Sequence, residues 1–224
     1  MADLTIIMPT PNLVPKKWAE FHKQKLLEAA GDNPIITISK EPLDWGVKNL
    51  IQTEYGLSNL YRQILRGAKE ADTPLVAIAE DDTLYPKQHF QFRPTEPGYY
   101  YNLNRWHIFT WGNPFYFHKP RPANSCMICS RGLMIKALEK RLENLKAGEN
   151  LPGRLCRELG TAKETMGYDM QEWKSFYTAE PILGFDHDQG SDRLSKIRKK
   201  WPWPVRAFDI PIWGRAEEIR EKFQ

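Results

Sequence analysis

The chain has few cysteines: Cys126, Cys129 and Cys156 are the only three in 224 residues. An odd number at this spacing does not suggest a disulfide framework. Cys126-Met-Ile-Cys129 is half of a zinc or redox pattern without a second pair, and its apolar interior reads as a buried strand. No glycine-rich phosphate loop occurs. Neither the dinucleotide fingerprint nor the Walker pattern is present, which disfavours cofactor redox chemistry and P-loop hydrolysis. No apolar run approaches the roughly 18 residues of a membrane helix, and the first residues lack a basic-then-apolar leader. The expectation is a soluble, cytoplasmic protein with no membrane span. An excess of one charge is missing as well: 32 Lys and Arg stand against 28 Asp and Glu, a net charge of +4. That balance does not by itself argue for nucleic acid.

What the chain does have is an alternation of short apolar runs and helical stripes. Leu4 to Met8 is apolar and closes on Pro9-Thr10-Pro11; Pro34 to Ser39 is β-branched; Leu75 to Ala79 is apolar after Thr73-Pro74. These read as strands. Between them, Lys17 to Ala30 carries Trp18, Phe21, Leu26, Leu27 and Ala30, and Ser58 to Ala71 carries Leu60, Tyr61, Ile64, Leu65 and Ala68. Both have helical spacing, with Gly31 as a stop for the first and Ser58 as a possible N-cap for the second. Strand, helix, strand, helix, strand calls for an α/β fold, a mostly parallel or mixed sheet flanked by helices, in the Rossmann-like class that binds nucleotides.

The third run ends in Glu80-Asp81-Asp82. Three adjacent carboxylates repel one another and raise each other's pKa, and the carboxyl end of a buried strand is where open α/β sheets place ligands. Oxygen donors there suit a hard divalent cation, Mg2+ or Mn2+. Acids also cluster in ordinary solvated turns, so the pattern needs partners elsewhere.

Phe90 to Pro122 is dense in aromatic residues, and its turns suggest short strands such as Gly98 to Asn102 and Trp106 to Trp111 in a mixed or antiparallel extension. An aromatic core is favoured over a surface that stacks sugars or bases. Asn124 to Ser130 then reads as a buried strand and Arg131 to Leu145 as a helix. Thr165 to Trp173 predicts a further helix with Asp169 near its start, either as an N-cap or as a general base. Between Ser191 and Arg206 lie Arg193, Lys196, Arg198, Lys199, Lys200 and Arg206 against Asp192, with Trp201 and Trp203 interleaved. This segment is read as a lid over a diphosphate, a nucleic-acid contact or a solvated helix.

The order of these features resembles the GT-A glycosyltransferases, in particular the family 2-like group. The matching stretches are Ile6 to Thr10, Ser58-Asn59-Leu60-Tyr61-Arg62, Glu80-Asp81-Asp82 with Pro86 four residues on, the strand and helix of CMICSRGLMIKAL, Gly167-Tyr168-Asp169, and Phe185-Asp186-His187-Asp188. The resemblance implies one domain over 1–224, with a nucleotide-sugar-binding half at 1–89, an acceptor half at 90–190 and a basic C-terminal lid or tail at 191–224. It implies a metal-dependent transfer of a sugar from a nucleotide-diphosphate sugar, most readily a UDP-sugar, to an acceptor hydroxyl on a glycan or a nucleic acid, with inversion. Asp82 and His187 would hold Mn2+ or Mg2+. Asp169 would be the base, with Glu172 as its rival. Pro9, Thr10, Asp44, Arg62, Glu80, Asp81, Arg193, Lys196 and Arg198 would contact the donor. A metal-dependent nucleotidyltransferase and a non-catalytic binding protein on the same fold are the alternatives; the first lacks the glycine-rich, basic N-terminal loop expected of it.

Overall fold

The computed structural model describes residues 2–52, 57–146, 149–187 and 202–224. In chain order the elements are β1 (Leu4–Thr10), α1 (Lys16–Ala30), β2 (Ile35–Ser39), β3 (Lys48–Ile51), α2 (Leu57–Glu70), β4 (Leu75–Ile78), β5 (Thr83–Leu84), α3 (Lys87–Gln91), β6 (Tyr99–Asn102) and β7 (Arg105–Phe109). They continue with β8 (Tyr116–His118), β9 (Met127–Ser130), α4 (Arg131–Leu142), α5 (Met166–Asp169), β10 (Trp173–Phe176), β11 (Ile182–Asp186) and β12 (Arg206–Ala207), and a last hairpin leads into α6 (Ala216–Phe223).

A seven-stranded sheet in the order β10-β6-β9-β4-β1-β2-β3 forms the centre. β1 is parallel to both β2 and β4, while β9 runs antiparallel to β4 and β6. The fold is therefore α/β with a mixed sheet, as the alternation of patterns predicts. The chain leaves β1 toward β2 and β3 and then returns to β4 on the other flank. The sheet's topological switch point lies between β1 and β4, the place where such sheets bind ligands. The opposite directions of these two crossovers put α1 and α2 on opposite faces. A second sheet, β12-β8-β7-β11-β5, stands against the carboxyl side of the first; β5 follows the acids directly and pairs with β11.

The apolar residues of β1, β2, β4 and β9 sit in the main core with Leu26, Ile64, Ala68, Met134 and Leu138 from the helices. Tyr99, Tyr101, Tyr116, Phe90 and Phe117 are fully buried, so these central aromatics are core rather than a stacking surface. Cys126 and Cys129 are also buried, and burial pushes the Cys126 thiol up to about 11. A smaller core joins Trp18 to Leu84, Phe185, Ile219 and Phe223.

Three expectations are corrected. β3 is an additional edge strand whose exposed Lys48 and Ile51 hide it from hydrophobic patterning. Ser58 lies inside α2, where its hydroxyl accepts the Leu151 N–H instead of capping the helix. The helix expected over Thr165 to Trp173 stops at Asp169, because Met170 takes a left-handed backbone (φ 68°), and Trp173 opens β10.

Gly67 lets α2 approach the sheet closely: a Cβ there would lie 2.5 Å from Ile7 Cγ2 and 3.0 Å from Ile38 Cδ1. Gly67→Ala improves helix propensity yet is expected to lower stability by about 1–2 kcal/mol through overpacking, read from denaturant midpoints. His89 is fully buried, and both ring nitrogens lack a partner among the described residues. Its ring is stacked parallel to Phe176 at 5.8 Å, and burial drives its pKa down to about 3. The unfolded chain takes up a proton below about pH 6.5 that the folded His89 refuses, so stability falls as pH falls. His89→Phe should remove about 2 kcal/mol of the loss between pH 7.5 and pH 5, measured as the difference between unfolding free energies at the two pH values.

Candidate active site

β4 ends at the switch point. The Ala79 N–H still donates to the Ile7 carbonyl at 2.9 Å, and beyond it the chain turns away as Glu80, Asp81 and Asp82. β1 runs on past this point to Pro9 and Thr10, which pair only with β2, at Ile38 and Ser39. Pro9 has no N–H to leave unsatisfied where its β4 neighbour has gone. The Thr10 hydroxyl donates to Asp81 Oδ2, Trp18 Nε1 donates to the Asp81 carbonyl at 2.7 Å, and the Glu80 N–H donates to the Tyr85 hydroxyl at 2.9 Å. The bend carrying the acids is thus fixed from three sides.

Asp82 faces the second sheet. The Phe185 N–H donates to its carbonyl at 2.9 Å, the Thr83 hydroxyl donates to Oδ1 at 3.0 Å, and His187 Nε2 lies 3.4 Å from Oδ2. His187 rests on Phe223 with ring centroids 5.0 Å apart. The structure thereby brings together Thr10, Asp81, Asp82 and His187 from β1, the β4–β5 bend and the end of β11.

Burial and the neighbouring Asp82 carboxylate push Glu80 up to about 8, an effect that Arg105 partly opposes. The same two causes push Asp81 up to about 7 against the Thr10 hydrogen bond. Burial disfavours a charge on His187, but Asp82, with Asp81 and Asp186, outweighs it and raises the imidazole above its usual value. The cluster carries more acid than it can ionise unaided. A divalent cation relieves that repulsion, and the donors, carboxylate oxygens with one imidazole, are those of a hard-to-borderline ion. Among the described residues no group of three or more His, Cys, Asp or Glu is placed to hold a metal ion. Asp82 with His187 instead fits the open type, in which the substrate's phosphates and water complete the coordination.

The other predicted residues fall elsewhere. Asp169 is fully buried and is gripped by Arg141 through Nε to Oδ1 at 2.8 Å and a second nitrogen to Oδ2 at 2.6 Å. The Gly160 N–H and the Thr165 hydroxyl also donate to Oδ2, at 2.9 and 2.7 Å. It ends α5 rather than starting a helix, and its oxygens hold the chain together instead of facing an acceptor. Glu172 is exposed, in the turn before β10 and not on a helix. Trp173 after it is level, through Tyr99 and Cys129, with Val76 near the start of β4. That places Glu172 at the far end of the sheet from the acids and three strands, about 14 Å, to the side. Asp44 is exposed and paired with Lys23 at 3.1 Å. Arg62 donates to the carbonyls of Lys146 and Glu149 at 2.9 and 3.2 Å. Arg193, Lys196 and Arg198 lie outside the described residues.

Some residues at the site escaped the sequence reading. Asn12 has a left-handed backbone (φ 55°), its N–H bonds Thr10 Oγ1 at 3.0 Å, and its Oδ1 accepts the N–H groups of Lys40 and Glu41 at 2.9 and 3.1 Å. It ties the loop after β1 to the loop after β2. Its only signal is an Asn in a proline-bounded turn. Trp18 and Tyr85 look like ordinary core aromatics, and nothing in spacing reveals that they bond the acidic bend.

Comparison with protein-family models gives no match, and comparison with curated proteins gives none. Solved structures with a similar backbone include 2-C-methyl-D-erythritol 4-phosphate cytidylyltransferase from Thermus thermophilus (13% identity, 89% of this chain and 100% of that one, TM-score 0.48). S. aureus TarS 1-349 is similar at 12% identity, 82% of this chain, 60% of that one and a TM-score of 0.46. A glycosyltransferase involved in the glycosylation of the major capsid of PBCV-1 is similar at 14% identity, 88% and 98% coverage and a TM-score of 0.43. The likeness is one of backbone course, and the functional reading rests on the site.

The buried Asp169 pair predicts that Asp169→Asn, which leaves the Arg141 charge uncompensated, costs about 3 kcal/mol and lowers the thermal midpoint by roughly 10 °C. A wild-type midpoint in calorimetry would mean that this carboxylate is not held by Arg141.

Proposed function

We propose that the protein is a glycosyltransferase that takes a sugar from a nucleotide-diphosphate donor and passes it to an acceptor hydroxyl. The observation that carries this reading is the meeting of Asp82 and His187, 3.4 Å apart, at the switch point of an α/β sheet beside the hydrogen-bonded pair of Thr10 and Asp81. The ordered motifs from Ile6 to His187 support it. Such an arrangement suits a nucleotide that arrives with its own phosphate oxygens.

Asp82 and His187 are the residues proposed to hold Mn2+ or Mg2+, which would neutralise charge growing on the diphosphate leaving group. Thr10 orients Asp81 and leaves its second oxygen for the ribose or for water. Trp18 and Tyr85 keep the bend from relaxing as charges change around it, so the geometry is set during folding. Arg193, Lys196 and Arg198 follow His187 in sequence and are proposed to meet the diphosphate. No base is assigned.

Calorimetry and turnover with a panel of nucleotide sugars, with and without manganese, test the proposal. Metal-dependent donor hydrolysis is the expected result. Pyrophosphate release from a nucleoside triphosphate would instead indicate a nucleotidyltransferase, and no binding of any nucleotide would indicate neither. Asp82→Ala should reduce metal-dependent turnover by at least about 100-fold with the thermal midpoint held, since Asp82 is partly exposed and outside the cores. Full activity of that variant refutes the assignment.

A further inference from the structure

Arg105 opens β7 beside the acidic bend and is only 6% exposed. Its Nε and one terminal nitrogen are buried without a hydrogen-bond partner among the described residues. Its charge acts on Glu80, His107 and Cys126, yet among the described residues no carboxylate lies within ion-pair distance of it. The nearest acid on the same sheet, Asp186, is already engaged: His107 Nδ1 stands 3.2 Å from Oδ2, and Lys119 Nζ stands 3.7 Å from the same atom. The His107 ring is itself seated over Gly184, where a Cβ would come within 2.8 Å of the ring. The Ser125 hydroxyl, also fully buried, lies within reach of Glu80.

A buried guanidinium without a counter-charge is costly, and orphaned buried donors require an explanation. A planar fork of donors matches a carboxylate or a phosphate better than any neutral group. We propose that Arg105 recognises an anionic group of the substrate, a carboxylate or phosphate borne by the transferred sugar or by the acceptor, distinct from the donor's diphosphate. The inference rests on the glycosyltransferase reading for its placement and deepens it: the enzyme is specific for an acidic sugar or an acidic acceptor. Its ion pair is completed only when that substrate is bound.

The test compares ligands that differ by the anion alone. Wild type, Arg105→Met and Arg105→Lys are titrated with UDP, with UDP-glucose against UDP-glucuronate, and, with and without saturating UDP, with glucose against glucose 6-phosphate and glucuronate. Thermal melting confirms that each variant is folded. In wild type the anionic member of one pair should bind at least about tenfold tighter than its neutral partner. Preference within the nucleotide-sugar pair assigns the anion to the donor sugar; preference within the free-sugar pairs assigns it to the acceptor. Arg105→Met should erase the preference while leaving UDP and the neutral ligand within about twofold, and Arg105→Lys should retain part of it. Equal affinities across every pair in wild type, a preference that survives in Arg105→Met, or a loss of UDP affinity itself in that variant would each overturn the inference. If UDP and its sugars do not bind at all, the nucleotide reading fails separately, and the titrations without nucleotide still decide whether Arg105 binds an anion.

Discussion

Glu80, Asp81 and Asp82 crowd three carboxyl groups into one half-buried bend. Repulsion and desolvation push that bend toward protonation or toward disorder, and the surrounding contacts answer that push. The Thr10 hydroxyl and the indole of Trp18 grip Asp81, the Tyr85 hydroxyl takes the Glu80 N–H, and His187 offsets Asp82. None of these groups would be needed to end an ordinary strand. Stability is given up at the bend, and the concentrated negative charge that results suits a cation.

The second sheet follows from the same constraint. β5 is only two residues long, yet it pins the acids because it pairs with β11, whose continuation carries His187. The main-chain bond from Phe185 to Asp82 sets the distance between the two sheets at the point where the site lies. The ring stack of Trp18, Phe185 and Phe223 fills the space behind it. A hydrophobic cluster thus backs a polar one.

How much of this was legible before folding depends on the range of the interactions. The strands ending at Thr10 and Ile78 and the two helices between them announce themselves by local periodicity, and the switch point follows from their order. The pairing of Asp82 with His187 was legible because the acids and the histidine each end an apolar run, and strand ends gather at one edge. Asp169 and Glu172 were misplaced for a definite reason. A helical period through Thr165 to Trp173 cannot register that Met170 adopts a left-handed backbone, nor that Arg141 lies ready to neutralise an acid in the interior. Arg105 was invisible for the opposite reason: its sequence neighbourhood is aromatic and strand-like, and only the three-dimensional absence of a partner among the described residues marks it.

The pairing of β5 with β11 joins segments about a hundred residues apart, whereas β1, β2 and β4 need only the first third of the chain. Closing so long a loop is slow, and entropy opposes it until the second sheet can condense. β1, β2 and β4 are therefore able to pair before the second sheet is complete, with Thr10, Trp18 and Tyr85 already at the acidic bend and His187 still to be brought in. A ligand that bound across the two sheets would stabilise the finished fold over any state in which only the first strands have paired.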